Sequence, residues 1–286
     1  MQIVLEFIKV LILGIVEGIT EWLPISSTGH LILVNEFLKL NVTQEYMDMF
    51  NYVIQLGAIL AVVTLYFRRL NPLDPGKDQR QKKRTIVLWC KVIVAVIPAA
   101  VIGLPINDFV DSHLSSPVIV AAMLIIYGVL FLKVEDRNKN HLPAVTNLDR
   151  LDYPTALKIG LFQVLSIIPG TSRSGSTILG GIMVGTSRSV AAEFSFFMAI
   201  PVMFGVSFIK IVKFFIESGM AGLTVLNVLY LLLGMAVSYF VSIIAIRFLM
   251  DYVKNHSFKV FGWYRIGLGI LVLLYFGIRQ LMMLGG

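Results

Sequence analysis

Long apolar runs separated by short polar ones dominate this chain. Six runs, at about 50–68, 86–106, 117–133, 193–213, 226–250 and 260–282, are continuously apolar rather than alternating. Crossing about 30 Å of hydrocarbon takes roughly 20 helical residues, so these runs are of spanning length. Backbone groups in lipid must be satisfied internally, by helices or by a closed barrel. Absence of a two-residue alternation predicts helices.

Two further apolar stretches, 1–40 and 154–185, are interrupted, the first by EWLPISSTGH and the second by PGTSRSGS. Proline lacks an N–H and turns the residue before it away from helix. Irregular backbone at membrane depth survives only where protein or water surrounds it. Each stretch therefore predicts a re-entrant helix–loop–helix hairpin. The breaks resemble each other: GIVEGITEWLPISSTG (14–29) lies over GLFQVLSIIPGTSRSG (160–175), with Gly14 on Gly160 and Glu17 on Gln163. After a one-residue shift Pro-x-Ser-Ser lies on Pro-x-Thr-Ser, which puts Ser26 on Thr171. Three spans follow each hairpin. The predicted fold is thus an all-α integral membrane protein, one integrated membrane domain built from two repeats, 1–145 and 146–286. Three is odd, so the second repeat is inverted, with the two loops meeting near mid-membrane as in many transporters.

Composition agrees: 57% of residues are hydrophobic and 14% charged, and the mean hydropathy is +0.83. A soluble domain needs more charge to cover its surface. Seven basic residues fall between Arg68 and Arg84, whereas NDFVDSHLSS (107–116) has no Lys or Arg. Basic loops stay inside, which places 69–85, 134–155 and 251–259 in the cytoplasm and 107–116 and 214–225 outside. That reading accounts for the net charge of +7, and no motif supports a nucleic-acid partner. The first residues, MQIVLEFIKVLILGIVEG, lack a basic region ahead of their apolar part and read as mature protein. The single cysteine, Cys90, excludes an internal disulfide and a cysteine-built metal site.

The chemistry gathers in the two breaks. Glu17 and Glu21 are four residues apart and share a helical face. Membrane carboxylates are costly and normally line a cavity; a divalent cation or one shared proton would relieve their repulsion. The plainer alternative is a helix at the interface with both groups in water. Ser26-Ser27-Thr28-Gly29-His30 puts hydroxyls beside an imidazole, the usual base for a serine nucleophile. Helix capping explains one of those hydroxyls but not three with a histidine. Pro169-Gly170-Thr171-Ser172-Arg173-Ser174-Gly175 has the composition of an oxyanion cradle: glycines that let N–H groups converge, a helix start, and an arginine fork for phosphate oxygens. The alternative there is an arginine snorkelling to the surface. Thr186-Ser187-Arg188-Ser189 lacks the flanking Pro-Gly and reads as an ordinary turn. Acid, hydroxyl and imidazole from one loop, with arginine and N–H donors from the other, form a phosphoryl-transfer set.

These motifs, Glu17-x-x-x-Glu21, Pro24-Ile25-Ser26-Ser27-Thr28-Gly29-His30 and Pro169 to Gly175, together with Glu193-Phe194-Ser195-Phe196, closely resemble those of the undecaprenyl-diphosphatase (bacitracin-resistance) family of bacterial membrane enzymes. The resemblance runs along essentially the whole chain. It implies hydrolysis of undecaprenyl pyrophosphate to undecaprenyl phosphate, which recycles the cell-wall lipid carrier. It also implies a place in the bacterial cytoplasmic membrane, a site open to the outer side, and dependence on Mg²⁺ or Ca²⁺. By motif position it marks Glu17, Glu21, Ser27, His30 and Arg173 as functional residues. The expected roles are metal ligation by Glu17 and Glu21, attack by Ser27 or a water with His30 managing the proton, and a phosphate clamp of Arg173 with Ser26, Thr28, Thr171, Ser172, Ser174 and Gly175. Expected partners are the polyprenyl pyrophosphate, membrane lipids and a second copy of the chain. The competing reading is a polyprenyl-phosphate transporter using the same loops, because fold does not decide function.

Overall fold

The computed structural model describes residues 2–219 and 222–284. Eleven α-helices follow in chain order: α1 Gln2–Thr20, α2 Ser27–Phe37, α3 Gln44–Leu65, α4 Phe67–Leu70, α5 Gln79–His113, α6 Pro117–Arg137, α7 Tyr153–Val164, α8 Arg173–Met183, α9 Arg188–Ser218, α10 Val225–Asn255 and α11 Lys259–Leu284. No strand is present among the described residues. Among the described residues six helices, α3, α5, α6, α9, α10 and α11, are long and apolar enough to cross a membrane. They coincide with the six runs read from the sequence, and the chain is an all-α membrane protein.

The loops are shorter than their polarity suggests. Segment 107–116 was expected to be a loop, but α5 continues to His113 and leaves only residues 114–116. Apolarity reports contact with lipid, not helicity, and a helix that leaves the hydrocarbon turns polar without unwinding. At the other end of α5, Asp78 and Gln81 form a capping box, so Arg80, Lys82, Lys83 and Arg84 lie on its first turns. Of the expected 214–225 loop, residues 214–218 are helical, and 220 and 221 lie outside the described residues.

Each broken stretch is a pair of helices separated by its polar break. Helix α1 stops at Thr20 and α2 starts at Ser27; α7 runs through a 3-10 turn, Leu165–Ile167, and α8 starts at Arg173. The starts of α2 and α8 use one device. Ser26 and Ser172 are the only non-glycine residues at positive φ among the described residues, 74° and 72°. Each side chain accepts the N–H of the glycine three residues on, Gly29 and Gly175. A serine capping a helix from the left-handed region turns the chain sharply and leaves the next N–H groups free. The counterpart of Ser26 is therefore Ser172, not Thr171. The unshifted alignment, which puts Ser27 on Arg173, is the structural one.

Close helix packing holds the hairpins in place. A Cβ at Gly14 or Gly18 of α1 would lie 3.0 or 2.9 Å from the Gly234 and Ser238 carbonyl oxygens of α10. One at Gly160 of α7 would lie 2.1 Å from the Ala95 carbonyl of α5. Small residues that let backbones meet are how membrane helices pack without a hydrophobic driving force. Residues 174–182 of α8 and 190–200 of α9 are buried, with Trp22, Phe194, Phe196 and Phe197 in the main core. Many large apolar side chains on α1, α5, α10 and α11 face outward.

Candidate active site

The two loops are sewn together by three polar side chains. Ser174, on the first turn of α8, donates to the Glu21 and Leu23 carbonyls at 3.1 and 3.4 Å. Arg173 donates through Nη2 to Glu21 Oε1 at 2.8 Å and through Nη1 to the Ser195 carbonyl at 2.8 Å. Its guanidinium also sits 5.7 Å over the buried Trp22 ring. Arg265 of α11, fully buried, reaches between the loops. It donates to the Pro24 carbonyl at 3.2 Å and to those of Gly170 and Thr171, both at 2.8 Å.

A chain of contacts then leads from cation to hydroxyl. Glu21 accepts Arg173 on Oε1 and the Ser27 hydroxyl on Oε2, at 2.8 Å each. Ser27 thus has a carboxylate as its hydrogen-bond acceptor. His30 is turned elsewhere: Nδ1 lies 2.7 Å from the Ser26 carbonyl and Nε2 lies 2.8 Å from the Tyr264 hydroxyl. A carbonyl only accepts, so Nδ1 carries a proton and Nε2 is the basic nitrogen of neutral His30. The His30 and Tyr264 rings stack at 5.6 Å with planes 6° apart, fixing the imidazole.

Glu17 is fully buried, and both its carboxylate oxygens lack a hydrogen-bond partner. Gln163, which the alignment of the two breaks sets on Glu17, is only 1% exposed and has no partner for either side-chain polar atom. A buried orphan carboxylate one turn from a second one suits a divalent cation, which needs oxygen ligands and often takes only one or two carboxylates with substrate phosphates and waters completing the shell. No third His, Cys, Asp or Glu joins them among the described residues. The donor set of the pair, two carboxylates with one unpartnered, fits such an ion only if other oxygen ligands complete the shell.

The family follows from comparison with known sequences. Residues 10–271 match the family model described as Bacitracin resistance protein BacA. The chain belongs to this family. The undecaprenyl-diphosphatase of Lactiplantibacillus plantarum is 60% identical over 272 residues, 95% of this chain and 98% of that one. Proteins of the same name from Streptococcus thermophilus and Enterococcus faecalis are 58% and 57% identical, covering 97% and 93% of this chain and 96% of each relative.

In this BacA-family chain, Glu21, Ser27, Arg173 and Ser174 form one connected group, with Glu17 a helical turn away. Ser26 and Ser172 are caps, and Gly175 receives the Ser172 cap: a Cβ there would meet Arg265 Nη1 at 2.9 Å. Thr171 is buried with an unpartnered hydroxyl, and Thr28 is exposed on the first turn of α2. Ser27 and His30, expected within reach of each other, share no hydrogen bond; the helical start at Ser27 sends them to different partners. Three side chains were missed by sequence reasoning. Arg265 had a legible signal, a cation inside an apolar span. Tyr264 had none, and Ser195 only its place in the Glu193-Phe194-Ser195-Phe196 motif. Arg188 is more than a turn residue: it grips the buried Glu135 through Nε and Nη2 at 2.9 and 2.5 Å.

Proposed function

We propose that the two interlocked loops hydrolyse undecaprenyl pyrophosphate to undecaprenyl phosphate and inorganic phosphate, so recycling the lipid carrier of cell-wall synthesis. The relatives' name supports the substrate. The observation that carries the chemistry is the Arg173–Glu21–Ser27 relay beside the orphaned Glu17. The prenyl tail lies among the lipid-facing helices, and the pyrophosphate enters between the loops. Arg173 and the free N–H groups at the start of α8 hold the terminal phosphate and meet the charge that builds on its oxygens. Ser27 attacks the terminal phosphorus, giving its proton to Glu21 Oε2. The bond from phosphorus to the bridging oxygen breaks, and undecaprenyl phosphate leaves with the electron pair. Water then opens the phosphoserine, giving a proton to His30 Nε2, and Ser27 recovers its own. Glu17 and Glu21 would hold Mg²⁺ or Ca²⁺; when bound, such an ion neutralises charge on the phosphate oxygens.

The same reading sets the frame. The chain is a duplication of 1–145 and 146–286, the second half inverted, in the bacterial cytoplasmic membrane with the site open to the outer side. The matching caps at Ser26 and Ser172 support the duplication, and the basic residues near α5 and between α6 and α7 support the orientation. A tag at 71–78 should react only from the cytoplasm and one at 114–116 only from outside; both on one side would end the inverted model. A second copy is a candidate partner, which cross-linking in the membrane would reveal. The deciding assay is phosphate release from a prenyl pyrophosphate by purified protein, with and without chelator. Release that stops with chelator is expected. No release, with lipid phosphate moving between vesicle leaflets, would replace the enzyme by a carrier.

A further inference from the structure

A second polar feature lies one helix away from the loops. Helix α8 starts at Arg173 and ends at Met183, about 15 Å apart at 1.5 Å per residue. At its far end opens a cavity of about 850 Å³. Five Lys and Arg residues line it: Lys133 and Arg137 at the end of α6, Lys158 on α7, Arg188 at the start of α9 and Lys254 at the end of α10. No Asp or Glu is among the lining residues. Its wall is built rather than loose, since Val145 donates to the Gly185 carbonyl at 3.1 Å and accepts from Ser187 N–H at 2.8 Å. The Ser187 side chain caps α9 through Val190 N–H, and the Arg188 and Ser189 N–H groups have no acceptor among the described residues.

Topology alone asks for basic residues on this face but not for their convergence on one cavity. A neighbouring basic cavity shows the difference. It is lined by Arg68, Arg69, Lys77 and Arg84 but also by Asp74 and Asp149, and Asp149 lies within ion-pair distance of Arg69 and Arg84. That cavity is partly neutralised from within, by two carboxylates against four cations. In the larger one Arg188 is tied to Glu135 and Lys254 to Asp251, while Lys133 and Arg137 have no ion-pair partner among the described residues. Unspent cations, an arginine fork and free N–H groups at the start of a 31-residue helix are together a phosphate-recognising set. Basic pockets between membrane helices are where anionic headgroups dock.

We propose that this cavity binds a phosphate group, carried either by the headgroup of an anionic phospholipid or by a soluble phosphate, independently of the loop site. The test uses the full chain in neutral detergent, titrated with phosphatidylglycerol, with phosphatidylcholine and with inorganic phosphate, and read by native mass spectrometry and thermal midpoint. Saturable binding of phosphatidylglycerol over phosphatidylcholine is expected. Its dissociation constant should rise at least about tenfold in Arg137→Gln/Lys158→Gln, the equivalent of about 1.4 kcal/mol. It should not change in Lys82→Gln/Lys83→Gln, which removes the same charge from the N-terminal turns of α5. Ser189→Glu, which puts a carboxylate in the cavity while suiting a helix start, should also block binding. Competition by inorganic phosphate would assign the site to the phosphate itself; lipid binding without competition would assign it to the headgroup. Phosphate release from a prenyl pyrophosphate verifies that the variants are folded. Saturation by neither ligand, or equal weakening by both double substitutions, overturns the proposal.

Discussion

Arg265→Lys should separate the two loops while keeping their charge. Arg265 is fully buried, and its only polar contacts among the described residues are three carbonyl oxygens, one from the first loop and two from the second. Its guanidinium also stacks 5.4 Å from the Tyr127 ring centroid. Lysine retains the buried cation and its desolvation cost, but a single ammonium cannot span Pro24 on one side and Gly170 with Thr171 on the other. Hydrogen bonds to charged groups contribute about 1.5–3 kcal/mol each, so losing two costs about 3–6 kcal/mol. Displacement of a catalytic group by about 1 Å costs on the order of a hundredfold in rate, so turnover should fall by at least that much. Arg265→Met adds the second arm. It removes the desolvation penalty together with the bonds, and the three carbonyls are then left without this donor in a dry site. The assays are the thermal midpoint in detergent and phosphate release from a prenyl pyrophosphate. A Lys variant with unchanged midpoint and unchanged release would refute the cross-brace. A Met variant more stable than wild type but inactive would show that burial of the cation is a cost borne for loop register.

The other predictions concern the loops directly. Arg173→Lys keeps one of two ties and loses the fork, so release should fall by about 10²–10³ at normal folding; near-normal turnover would remove the clamp. Arg188→Lys should instead destabilise through Glu135 with turnover retained. Ser27→Ala should abolish release, and phosphate release by this variant at a substantial rate would make water the attacker. Ser26→Ala should weaken stability by about 1 kcal/mol through the lost cap, and Ser26→Gly less, because glycine tolerates the positive φ. Glu21→Gln should cut release by removing the acceptor of the Ser27 proton, and both Glu17→Gln and Glu21→Gln should raise the metal concentration needed for half-maximal release; an unchanged requirement in both would remove the metal role.

How much of this was legible follows from what each signal measures. Hydropathy reports lipid contact, so it found the six long apolar helices and the two breaks. It misjudged the 107–116 segment, where α5 runs past its apolar stretch to His113. Loop composition identified the residues that matter for backbone geometry, serines and glycines, but not their pairing. The one-residue shift that aligned the prolines was misleading, because Pro24 and Pro169 precede their caps by two and three residues. Side-chain direction was beyond reach. Ser27 and His30 are close in sequence, yet the left-handed turn at Ser26 starts a helix between them, sending the hydroxyl to Glu21 and the imidazole to Tyr264, 234 residues away.

The same turn explains why one backbone device carries opposite chemistry. Behind each left-handed serine the chain enters a helix with its first N–H groups free, a geometry that favours negative charge whatever side chain follows. In the second hairpin the next residue is Arg173, so dipole and cation act together and the start of α8 is suited to phosphate. In the first hairpin the next residue is Ser27, and the carboxylates Glu17 and Glu21 precede it. Gln163 stands where that hairpin has Glu17, keeping the shape of the site without the charge. Two carriers of one anion would have little reason to differ in this way. A hydroxyl held by a carboxylate on one loop meets an arginine and a helix start on the other, and under the proposed mechanism these are the nucleophile and the phosphate clamp. That asymmetry favours transfer of the phosphoryl group over passage of an intact lipid phosphate.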